Sequence, residues 1–342
     1  MEPLIEEAGL SRTGASTDAM GPAPATPQKK VSTRGKSPTA IAFARLRKDR
    51  VAVTCASVFV FFVLIAIFAP LLAKLEGQDI STLHQDLLDP YGLPTIAATG
   101  DHWFGIEPKL GRDLFARFVY GARPSLLVAG SVTILTTFVG VVIGLLAGFA
   151  GGWTDRILSW IIDFVLSLPY LLFAIAVPAV LLAIFVGNAD GGADPNEVAQ
   201  VRFYSLILVL SFFGWAALAR LIRGEVLSLR EREFVAAAKV LGVPTRKVLF
   251  KELLPNLVAP IVISVSMALP SYIVVEAGLT FLGVGLVEPT PSWGVTISAA
   301  QNYYKQDPLY LWVPVLAITM LVLSLSLLGD AVRDAFDPRT RR

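Results

Sequence analysis

Six stretches of this chain contain no Asp, Glu, Lys or Arg: Val51–Ala73, Ser125–Trp153, Phe164–Gly187, Phe203–Ala219, Leu253–Val275 and Pro308–Gly329. About 20 apolar residues in a helix cross the hydrocarbon core of a bilayer. The pattern therefore predicts an all-α, polytopic membrane protein with six transmembrane helices. Val51–Ala73 is too long and too late in the chain for a cleaved signal peptide, and reads as a retained first span.

The densest polar interruption, SLREREFVAAAKVLGVPTRKVLFKELLPN, falls between the fourth and fifth runs at Ser228–Asn256. Ser228 with Glu231 three residues on has the form of a capping box, and Gly242 followed by Pro244 that of a helix stop, so one helix is expected over Leu229–Leu241. Thr245 is expected to cap a second helix, with Pro255 marking its end or the start of the next element. Ala236, Ala237 and Ala238 leave a shallow surface between charged neighbours. This is either a solvated connection between spans or a knob on which a partner docks.

Charge placement orients the chain. Nine basic residues from Arg12 to Arg50 precede the first span, and alternation puts the eight from Arg220 to Lys251 on the same side. By the positive-inside rule both termini and the hairpin are expected in the cytoplasm. Residues 1–40, rich in Pro, Ala, Gly, Ser and Thr, read as a disordered cytoplasmic tail, and 41–50 as a basic interfacial segment. The first span and an external segment occupy 51–123, a core domain 124–330, and a cytoplasmic tail 331–342.

In the external segment, Asp113–Tyr120 alone reads as an amphipathic interfacial helix. In the second run Gly140, Gly144, Gly148 and Gly152 recur every four residues, which places them on one helical face and lets another backbone approach. Asp163 stands just before the third run, after the first turns of the span it predicts. A carboxylate at membrane depth is costly, so it is expected to face the bundle interior or reach water, with a structural partner or a pathway role. Pro169 and Pro178 are expected to kink that helix. Gly187–Arg202 reads as a polar external loop. The fifth run ends at Glu276 and continues into AGLTFLGVGLVEPTPSWG, whose Gly278, Gly283, Gly285, Pro289 and Pro291 predict a turn back at the outer face.

Three segments carry a family resemblance. EFVAAAKVLG followed by LLPN resembles the coupling, or EAA, motif of ABC importer permeases. The stretch with Gly105, Gly111, Arg112, Asp113, Arg117, Tyr120, Gly121, Ala122 and Arg123 is similar to a segment of the C-type permease subunit of dipeptide and oligopeptide importers. AGLTFLGVGLVEPTPSWG and the C-terminal GDAVRDAFDPR are similar to two further segments of that family. The resemblance covers about residues 41–339 and implies the type I importer (MetI-like) permease fold. It also implies a homologous second permease subunit, two cytoplasmic ATPase subunits that bind the ATP, and an extracytoplasmic solute-binding protein. The coupling residues it implies are Glu233, Ala236, Ala237, Ala238, Gly242, Pro255 and Asn256. The chain departs from the family at Ile106 and Glu107, where a Thr-Asp pair is usual, at Ala236, where Glu is common, and at Glu252, where His is common.

Composition fits a membrane protein: 54% of residues are hydrophobic, 16% charged, and the net charge is only +2. The single cysteine, Cys55, allows no intrachain disulfide and no cysteine metal site. Gly35-Lys36-Ser37 lacks the first glycine of a phosphate loop, Lys30 standing there, and has no preceding strand. His84 and His102 complete no triad and no metal-ligand spacing, so neither an enzyme, a cofactor nor nucleic-acid binding is expected. The expectation is a multi-pass cell-membrane permease subunit for peptides, with nickel or another small solute open. An ion-driven secondary transporter using Asp163 and Glu276 as relay carboxylates is the alternative from another class.

Overall fold

The computed structural model describes residues 38–187 and 192–336. The expected tail at 1–37, part of the loop after Gly187 and the last six residues lie outside that range. Ten helices are found among the described residues: α1 (Pro38–Leu46), α2 (Arg50–Glu76), α3 (Leu114–Ala150), α4 (Gly152–Ser167), α5 (Tyr170–Phe185), α6 (Pro195–Arg230), α7 (Glu233–Val240), α8 (Thr245–Phe281), α9 (Trp293–Ala300) and α10 (Pro308–Phe336). Five of them, α2, α3, α6, α8 and α10, are long and apolar enough to cross a membrane alone. The sixth span is α4 and α5 together, bent by 83° at Leu168–Pro169. The two predicted kinks in this run are thus one sharp break and one interior proline, Pro178.

The apolar core lies where α2, α3, α8 and α10 meet. Phe62, Ala66 and Ala69 of α2, Ala122 and Ala129 of α3, Ile273 of α8 and Leu321 of α10 form one buried cluster with Trp293, whose ring meets Phe62 edge-on and stacks on Phe118. Prolines inside spans leave carbonyls without their helical donor, and the bundle supplies replacements. Pro70 frees the carbonyl of Ala66, and Arg123 Nε donates to it at 2.5 Å.

Several boundaries differ from expectation. Asp113–Tyr120 is not a separate interfacial helix. Asp113 caps α3, its Oδ1 accepting from the Ala116 N–H at 2.7 Å, and the next residues are the first turns of a 37-residue helix with Arg117 buried. Side-chain moment cannot tell a surface helix from the end of a span whose charges are paired. The loop expected at Gly187–Arg202 becomes helix at Pro195, where Asp194 caps α6. The Ser228–Glu231 capping box does not form, because Ser228 lies inside α6 and the chain turns only at Glu231–Arg232. Likewise α8 starts at Thr245 behind Pro244, not capped by it, and runs through Pro255 to Phe281. The missing Pro255 donor is accommodated by a π-helical segment, Val248–Leu253, closed by the Leu254 N–H on the Leu249 carbonyl. Gly278 stays within this helix, and the turn-back begins after Phe281. At its far end α10 extends beyond Gly329 to Phe336 and receives α1, whose Arg45 Nη1 donates to the Ala335 carbonyl at 3.3 Å.

Candidate functional site

The hairpin at Ser228–Asn256 is built on the packing of α3 against α6. A Cβ on Gly140 would sit 2.9 Å from the Trp215 carbonyl, one on Gly144 2.7 Å from the Ala219 carbonyl, and one on Gly148 2.7 Å from the Val226 Cβ. Only glycine allows so close an approach. Gly152 lies outside this stripe, since α3 ends at Ala150. Beyond it, Arg230 Nη1 donates to the Gly148 carbonyl at 3.0 Å and closes the end of α3. Arg223 grips Asp155 of α4 with two hydrogen bonds of 2.5 and 2.9 Å.

On this base α7 is anchored by Val235 and Ala238, both buried among Leu145, Ile222, Val226, Val248 and Leu253. Its end is a left-handed turn at Gly242 (φ +70°), with the Leu241 N–H on Ala237 and the Val243 N–H on Ala238, both at 3.0 Å. That geometry needs a residue without a Cβ penalty. Glu233, Ala236 and Ala237 face outward, and Val240 and Leu241 are 87% and 81% exposed. Ala238, expected on the docking surface, is therefore part of the anchor, and the exposed pair Val240–Leu241 is what the sequence reading overlooked. Pro255 and Asn256 sit within α8, Asn256 Nδ2 donating to the Glu252 carbonyl at 2.6 Å.

Asp163 does not point into the core. It pairs with Arg220 of α6 at 2.5 Å on a largely exposed face. Glu276 is fully buried, its Oε1 accepting from the Thr280 hydroxyl at 3.1 Å. The same hydroxyl accepts from the Leu286 N–H at 3.0 Å, which ties the turn after α8 back to that helix. Asp163 and Glu276 share no hydrogen-bond or ion-pair partner among the described residues.

At the opposite end of the bundle, side chains from four parts of the chain converge. Arg112 hydrogen-bonds Glu107 and reaches Glu288 through both terminal nitrogens at 3.1 Å. Arg117 contacts Glu288 at 2.5 Å and Glu107 at 3.4 Å, and the Tyr310 hydroxyl donates to Glu107 at 3.3 Å. Burial alone would lower the Arg112 pKa, but the two carboxylates outweigh it and raise it. Glu107 thus puts a carboxylate at the centre of a buried network. Nearby, His102 Nδ1 lies 2.8 Å from Asp113 Oδ2. This convergence had a signal in the sequence: Glu288 is the only carboxylate between Glu276 and Asp307. No group of three or more His, Cys, Asp or Glu is arranged to hold a metal ion among the described residues.

Residues 140–342 match the family described as binding-protein-dependent transport system inner membrane component. The chain belongs to this family. Residues 37–90 of the permease also match the N-terminal TM domain of oligopeptide transport permease C. Three curated relatives align over more than nine-tenths of their own length. The permease is 34% identical over 322 residues to the dipeptide transport system permease protein DppC of Alkalihalophilus pseudofirmus, covering 94% of this chain and 97% of that protein. It is 32% identical over 314 residues to the oligopeptide transport system permease protein OppC of Bacillus subtilis, covering 92% and 94%. Against OppC of Mycobacterium bovis the identity is 30% over 298 residues, covering 87% and 93%.

Proposed function

We propose that this permease forms half of the translocation pathway of an ABC importer for dipeptides or oligopeptides. It would pair with a homologous permease, two cytoplasmic ATPases that bind the ATP, and an extracytoplasmic solute-binding protein. The observation that carries this reading is the alignment with peptide permeases over more than nine-tenths of both chains. The hairpin supports it physically. A short helix anchored by Val235 and Ala238 presents Ala236, Ala237, Val240 and Leu241 as a low-profile apolar face at one end of the spans. With both termini and the hairpin in the cytoplasm, as the basic residues favour, that face meets the ATPases. Closure of the ATPases on ATP would then move α7 and, through the π-segment, α8, switching the pathway between two states biased by ligand.

The test is uptake of a labelled dipeptide and a labelled pentapeptide into proteoliposomes holding the complete complex, with ATP inside the vesicle replacing cytoplasmic ATP. Uptake that needs hydrolysable ATP and the binding protein is expected. Uptake by the permeases alone on an ion gradient, or import only of nickel or another non-peptide solute, would overturn the proposal.

A further inference from the structure

Beside the Glu107–Arg112–Arg117–Glu288 network opens a cleft of about 580 Å3, within the range of small-ligand sites. Its apolar wall is Leu286, Val287 and Val295. Two carboxylates, Glu107 and Glu288, and two cations, Lys109 and Arg112, line it, and the buried Arg117 behind them adds a third cation. Glu107 and Glu288 are both engaged by Arg112 and Arg117, whereas Lys109 makes no ion pair among the described residues. Lys109 is exposed and lines the cleft together with Tyr303, its ammonium 5.9 Å from the centre of that ring. Its backbone is held in the left-handed region (φ +68°), where a lysine rarely sits, by its N–H on the Gly92 carbonyl at 2.7 Å. A strained residue carrying an unmatched cation at the edge of an apolar-walled cleft is arranged to receive an anion attached to an apolar group.

We propose that this cleft is an acceptor site on the permease for the free C-terminal carboxylate of a peptide, held by Lys109, with the adjoining side chain against Leu286, Val287 and Val295. The assignment rests on the peptide-importer reading above. It adds a place on the permease itself where the ligand is held. Through the Leu286 N–H and the Thr280 hydroxyl, that place is connected to Glu276 in α8.

The experiment is equilibrium dialysis of labelled Ala-Phe against the assembled permease–ATPase complex in nanodiscs, without binding protein. It is repeated with the C-terminal amide of the same peptide and with Lys109→Gly, which keeps the left-handed backbone and removes the ammonium. Loss of one charge-assisted contact corresponds to roughly a tenfold change in affinity. That loss is expected for the amide on the parent complex and for the acid on Lys109→Gly, with no further loss when the two are combined. Val287→Trp, which fills the cleft, is expected to abolish binding. Equal binding of acid and amide, an unaffected Lys109→Gly complex, or no peptide binding to the parent would overturn the proposal. So would a Lys109→Gly change that weakens capture of unloaded binding protein alone, which would assign the cleft to a carboxylate of that protein. Peptide uptake is measured in parallel. Uptake without cleft binding sinks the acceptor site only, absence of both sinks the importer reading as well, and binding without uptake sinks the importer reading alone.

Discussion

Arg117 at the start of α3 and Glu288 in the turn after α8 meet at 2.5 Å although 171 positions separate them. Arg117 is buried and Glu288 is 41% exposed, so the two ends of this bond are unequal. Removing the exposed partner leaves Arg117 with Glu107, while removing Arg117 leaves Glu107 buried with less compensation. Breaking a fully buried pair costs about 3–5 kcal/mol, and a half-exposed pair costs less. Arg117→Met is expected to lower the midpoint of thermal unfolding of the assembled complex by several degrees more than Glu288→Gln. Intrinsic fluorescence during heating measures this, and equal shifts would show that burial does not set the order.

The glycines of α3 give a sharper contrast. Gly144 has backbone within 2.7 Å of where a Cβ would stand, whereas Gly130 has nothing within 4 Å. Gly144→Ala is expected to cut the yield of assembled complex severalfold. Gly130→Ala should leave it unchanged or raise it slightly, since alanine favours helix. Leu145 is not a suitable neutral control, because it is buried under the hairpin; the exposed Leu146 is, and Leu146→Ile should be tolerated. Size-exclusion recovery of the complex decides between these outcomes.

For the hairpin, an exposed ion pair from Glu233 would contribute only about 0.2–1 kcal/mol, so shape should dominate docking. Ala237→Trp and Leu241→Asp are expected to abolish stimulation of ATP hydrolysis by loaded binding protein. Glu233→Ala should weaken it modestly, and Ala236→Ser should leave it intact. Steady-state ATPase rates of the reconstituted complex measure this, and full stimulation in Ala237→Trp would remove the docking role of α7. Ala238→Trp belongs to another class: it strikes the anchor and should lower complex yield.

Asp307, just before α10, offers a pH test. Burial raises its carboxyl pKa above the ordinary 3.8, opposed in part by the Tyr310 and Leu309 backbone N–H groups. A folded-state pKa above the unfolded one means that the native state favours the proton, so this group's stabilisation is complete below the unfolded value and is lost as pH rises through the folded one. Asp307→Asn keeps an acceptor for the Tyr310 N–H and carries no charge. It is expected to unfold at a higher temperature than the parent at pH 7, with the difference shrinking towards pH 4. A difference that is constant with pH would show that titration is not its source.

The six apolar runs were legible because membrane burial imposes a coarse rule on every residue of a span. Where helices stop was less legible. Ser228 and Glu231 have the spacing of a cap, yet the packing of Ile222 and Val226 against Gly144 and Gly148 continues α6 past them. Asp163 was legible as costly, but not as the partner of Arg220, because nothing local states which helix passes beside it. The left-handed stop at Gly242 could be read directly, since its requirement is met within four residues. The split of Ala236–Ala238 into outward and inward positions could not, as three identical side chains carry no phase.

The π-segment Val248–Leu253 sets the phase between the hairpin and the span that follows it. Each residue of an α-helix advances the chain by 100° and 1.5 Å, and a π-turn stores one residue beyond that count. Straightening this turn would rotate Phe281 and everything beyond it by roughly that angle relative to Val243, with about one rise of axial travel. α8 can therefore act as a screw as well as a rod, and the pitch of that screw is written in the six residues between Lys247 and Leu254.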